Sequence, residues 1–117
     1  MVKDWIGVAG DLGPAIVKLR GGIPDVMKAF SQMDQAVSQN GALDPKTKEL
    51  IALALGVASR CDGCLAFHAK ACVKYGASRE EVMEMLGMAI YMGGGPSMIY
   101  AAQALEAFEQ WQEKAAK

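Results

Sequence analysis

The chain has 117 residues, 52% of them hydrophobic and 21% charged, and carries a formal charge of −1. This length and composition suit one folded domain over residues 1–117 and exclude a disordered acidic tail, which could not bury enough apolar surface to offset its ordering entropy. So small a net charge supplies no basic field for a phosphate backbone, so no nucleic acid partner is expected.

Residues 1–19 include Asp4 and Asp11 and lack the basic stretch and pure apolar run of a secretory signal. A helix is expected there despite Gly7, Gly10 and the Gly13-Pro14 pair. Over residues 24–39, Pro24 suits a first helical position, and Val26, Met27, Phe30, Met33, Ala36 and Val37 recur at the three-and-four spacing of a buried stripe. Asn40-Gly41 ends that helix, and Asp44-Pro45 starts another that runs to about residue 60. Its apolar run from Leu50 to Ala58 is far shorter than the roughly twenty residues that span a bilayer, so a soluble, cytoplasmic protein without a membrane partner is expected.

A further helix is predicted from Asp62 to Tyr75 with Gly76 just beyond its end, and Ser78 with Glu81 forms a capping box that opens the next, to about Met92. Gly93-Gly94-Gly95 breaks the pattern and Pro96 begins a last helix to about Lys114. No run alternates as a strand would, so the fold is expected to be all-α with five or six helices. Val82, Met83, Met85, Leu86, Met88, Ala89, Ile90, Tyr91 and Met92 leave the fifth segment almost no polar face. A small domain has few fully interior positions, so this helix predicts burial between subunits and hence a homo-oligomer.

The chemistry concentrates in Cys61-Asp62-Gly63-Cys64, followed by His68. Two cysteines three residues apart at a helix start can form a disulfide, and the positive end of the helix stabilises a thiolate. His68 follows Cys64 by four residues and shares its face, which adds a base to a nucleophile. The same residue types also ligate zinc. Along a helix, however, Cys61 and Cys72 would be roughly 16 Å apart, and the chain has no second CxxC or HxxxH, so the redox reading is preferred and no metal or other cofactor is expected. Cys72, the odd cysteine, reads as a small buried hydrophobe.

Glu49 lies in the preceding helix. With the two helices antiparallel about residues 60 and 61, it would sit about 6 Å out of register with His68, a gap expected to be bridged through water rather than by direct contact. A carboxylate there would hold the imidazole as a proton acceptor.

Glu49, eleven intervening residues, then Cys61-x-x-Cys64-x-x-x-His68 resembles the alkyl hydroperoxidase D (AhpD) group of the carboxymuconolactone decarboxylase superfamily. Gly93-Gly94-Gly95-Pro96 before an Ala-rich helix looks like that superfamily's glycine-glycine-x-proline turn. The resemblance implies a helical fold assembled as trimers or hexamers. It further implies thiol-dependent reduction of a small-molecule peroxide or a disulfide, with Cys61 and Cys64 cycling between dithiol and disulfide, Glu49 and His68 relaying protons, and an external dithiol or disulfide reductase as electron donor. Better-known members carry histidine just before the second cysteine; Gly63 stands there here. Two alternatives remain open at this point: a lyase using Glu49 and His68 on a lactone without sulfur, and a non-catalytic metal-binding or assembly module.

Overall fold

The computed structural model describes residues 1–117 and consists of six helices: α1 (Trp5–Gly22), α2 (Pro24–Val37), α3 (Pro45–Ala58), α4 (Asp62–Lys74), α5 (Arg79–Gly93) and α6 (Gly95–Ala116). The all-α expectation holds. No helix is long and apolar enough to cross a membrane.

The starts follow local chemistry. Asp44 accepts the Thr47 N–H at 2.7 Å ahead of Pro45, and Ser78 and Glu81 complete the capping box, with Glu81 accepting the Ser78 N–H at 2.8 Å. The ends of α3 and α4 are built alike. At each, one residue turns left-handed so that its own N–H and that of the next residue reach back to helix carbonyls. At α4 that residue is Gly76, with φ 79°; at α3 it is Arg60, with φ 54°. A left-handed arginine costs about 1 kcal/mol that glycine would not, and the strained residue immediately precedes Cys61.

α4 is the central element, packed against α1, α3 and α6, with α5 closing on α3 and α6. Leu53 and Val57 of α3, Leu65, Ala66, Ala69 and Cys72 of α4, Val82 of α5 and Phe108 of α6 are fully buried, as is Trp5 of α1. Trp111 donates its indole N–H to the Ala66 carbonyl at 2.9 Å, so the ring is buried without a stranded polar group.

One expectation fails. The spacing on α2 predicts a buried stripe, yet Val26, Phe30, Met33 and Val37 are each more than half exposed, and α2 touches no helix but α1. Three-and-four spacing specifies an amphipathic helix; it does not say that the covering surface lies in the same chain. α5 divides as its composition suggests: Val82 and Leu86 face the core, while Met83, Met88, Tyr91 and Met92 lie on the surface.

Candidate active site

Cys61 caps the N-terminus of α4, its Sγ accepting the Cys64 N–H at 3.2 Å, and the two cysteines are joined as a disulfide with Cα atoms 5.2 Å apart. Both are half-buried. The left-handed turn at Arg60 delivers Cys61 to this position, and Gly56 lets α3 lie close: a Cβ at Gly56 would come 3.0 Å from the Cys64 Cβ. On reduction, the same unpaired N–H groups and helix dipole that receive the Cys61 sulfur are available to a thiolate.

His68 lies one turn further along α4, and its Nδ1 is 2.6 Å from Glu49 Oε2. This corrects the water-bridged spacing expected from the sequence. Helix packing supplies the reason: counted from the Gly56–Cys64 contact, Glu49 is about 10 Å away along α3 and His68 about 6 Å away along α4, so the remaining offset of about 4.5 Å falls within the side chains' own reach. With Nδ1 donating to the carboxylate, Nε2 is left as the proton acceptor. Glu49 is the more enclosed of the two, with its side chain 18% exposed against 38% for His68.

Cys72 does not join this group. It is a free thiol buried in the core, pushed up to about 12 from the ordinary 9.0 by burial first and by the Glu49 charge second. Below pH 9 it is protonated in folded and unfolded chains alike. Above that the unfolded chain gives up this proton first, so the stability held by the neutral thiol is lost as pH rises from about 9 to about 12. At pH 8, an alkylating reagent should modify two thiols of the reduced folded protein and the third only after denaturation, as counted by intact mass. No three His, Cys, Asp or Glu side chains are grouped as a metal ion would require.

Sequence reasoning missed what surrounds the pair. Asp62, between the cysteines, forms an ion pair with Lys3, and the Tyr100 side chain lies nearby. The Lys3 ammonium foremost, with Tyr100 assisting, keeps that carboxyl below its usual range. Gly63 faces α1: a Cβ there would lie 2.8 Å from Leu12 Cδ1, so the position that carries histidine in the better-known AhpD members is filled here by a leucine from another helix. Asp62 was visible within the motif, but nothing local signals that Lys3, Leu12 and Tyr100 converge on it.

A helical fold with a cysteine pair at a helix start and a carboxylate–imidazole pair behind it defines a class, and similarity to known proteins agrees with it. The family model "Carboxymuconolactone decarboxylase family" matches residues 24–107, and the chain belongs to that family. It is similar to a carboxymuconolactone decarboxylase family protein of Legionella pneumophila, at 52% identity and TM-score 0.89, with 92% of this chain and 96% of that one covered. It is also similar to a family protein of Thermotoga maritima for which a part in the antioxidative response has been suggested, at 38% identity and TM-score 0.71, covering 77% and 93%. An uncharacterized protein of Cupriavidus necator is 43% identical over 86 residues, 74% of this chain and 76% of that protein. The AhpD group lies within this superfamily.

Proposed function

We propose that this protein is a thiol-dependent oxidoreductase that reduces a small peroxide, or a disulfide, at the Cys61–Cys64 pair. The observation that carries the proposal is the bridged pair at the N-terminus of α4, one turn from an imidazole held at 2.6 Å by Glu49. The antioxidative response suggested for the Thermotoga maritima protein accords with it.

In the peroxide reaction, one of the two cysteines attacks as thiolate. Its sulfur takes the terminal oxygen of R–OOH, the O–O bond breaks, and the departing alkoxide collects a proton that His68 has taken from the thiol. The second thiol then displaces hydroxide from the sulfenic acid, giving the disulfide and water. An external dithiol reopens the disulfide by exchange and leaves oxidised, so the sum is R–OOH plus dithiol giving R–OH, water and the donor's disulfide. Treatment of the reduced protein with one equivalent of hydrogen peroxide should remove about 2 Da within residues 61–70, measured by peptide mass spectrometry. Thiols that stay unchanged on prolonged exposure to the peroxide would reject the proposal.

The working form is proposed to be a homo-oligomer. The exposed stripe of α2 and the surface residues Met88, Tyr91 and Met92 of α5 support it, because apolar surface on that scale is usually covered in solution. Sedimentation at micromolar concentration should give a mass of several chains; a single-chain mass down the whole dilution series would contradict it.

A further inference from the structure

The first residues of the chain form a strap along α6, and one of its side chains reaches Asp62, between the two cysteines. The Val2 N–H donates to Glu106 at 2.6 Å, Gln110 Nε2 donates to the Lys3 carbonyl at 2.8 Å, and the Trp5 N–H donates to Gln110 Oε1 at 2.8 Å, so α6 fixes residues 2–5 along its side. The Trp5 ring is fully buried and its Nε1–H reaches Glu106 Oε2 at 3.1 Å. The strap therefore has a defined position, and the side chain it sends toward the pair is Lys3, whose ammonium meets Asp62.

Asp62 is the first residue of α4 and follows Cys61 directly. A carboxylate at a helix N-terminus is favourable for the helix, but a negative charge beside a nascent thiolate opposes the loss of the thiol proton. The charges facing this end of α4 are few: Asp62, Lys3 and the exposed Arg60 near the Tyr100 hydroxyl, with the Glu49–His68 pair behind the cysteines. Lys3 is the one hydrogen-bonded to the carboxylate.

We propose that Lys3 is a positioning residue for the redox pair, cancelling the charge of Asp62 so that the reduced pair can hold a thiolate. It touches no reacting atom and works through Asp62. The inference deepens the thiol-oxidoreductase function proposed above and rests on it, but its test needs no substrate. In the reduced protein, the lower of the two accessible thiol pKa values is measured from thiolate absorbance near 240 nm and from the pH dependence of alkylation, for the parent, Lys3→Gln, Asp62→Asn and the double variant.

Lys3→Gln should raise that pKa by about half a unit, a partly exposed pair giving less than the one to three units of an enclosed one. Alkylation below the pKa then slows about threefold. Asp62→Asn should lower the pKa, and adding Lys3→Gln to it, which removes both charges, should return it to about the parent value. Lys3→Arg, which keeps the charge, should match the parent, and about 1 M salt, which screens both charges, should shrink the difference between the parent and Lys3→Gln. An unchanged pKa in Lys3→Gln, or a double variant that does not return to about the parent value, would overturn the inference. Peroxide oxidation of the cysteines is measured separately: a failure there removes the proposed activity, while the titration still decides whether Lys3 tunes the thiols.

Discussion

Changing Cys61 or Cys64 to serine should abolish turnover with peroxide, and the two single variants should fail differently. The cysteine that attacks peroxide leaves, when replaced, a protein that no longer consumes it. Replacement of its partner leaves a protein that reacts once and stops as a sulfenic acid with no thiol within reach, because Cys72 is buried and protonated. A single-turnover assay with mass detection distinguishes them: one variant should gain about 16 Da, the mass of one oxygen, and the other nothing. Cys61 and Cys64 are both half-buried and both lie at the helix start, so this experiment assigns the attacking sulfur. Undiminished steady-state turnover in the double variant would remove sulfur from the mechanism and leave the Glu49–His68 pair as a proton-transfer site, as a lyase requires.

Glu49→Gln should slow oxidation of the reduced pair by about a hundredfold, the lower end of what a positioned acid–base group contributes. Glutamine keeps the length of the side chain and can still meet His68 Nδ1, but it lacks the negative charge that stabilises the imidazolium formed when His68 takes the thiol proton. His68→Gln should lose a similar factor, and the double variant little more than either, since the two residues act as one relay. Stopped-flow measurement of peroxide oxidation at pH 7 tests this; a loss below about threefold in Glu49→Gln would show that the carboxylate only holds the helices together. Circular dichroism of the same variant checks that α3 and α4 remain in place.

Much of the fold was legible because its signals are local. Asp44-Pro45, the Ser78–Glu81 box, Gly76 and the Gly93-Gly94-Gly95-Pro96 segment each satisfy or forbid backbone hydrogen bonds within one turn, and the helices begin and end there. The Cys61, Cys64 and His68 group was legible for the same reason, since three and four residues make one helical turn. The direct Glu49–His68 bond was not. It depends on how closely α3 approaches α4, which the absent side chain of Gly56 decides only once Cys64 is packed against it.

The exposed face of α2 marks a different boundary. Its residues carry the period of a buried stripe, and that period is all a sequence pattern can encode; whether a covering surface exists within the chain depends on where α1 points the helix. Alone, then, the sequence determined an all-α chain of five or six helical segments and a cysteine pair with its imidazole, because these rest on hydrogen bonds and spacings spanned by a few residues. The tertiary structure alone decided that Lys3, Leu12 and Tyr100 surround that pair, because their contacts close loops of about forty to sixty residues and are fixed by the packing of whole helices, which no short-range pattern records.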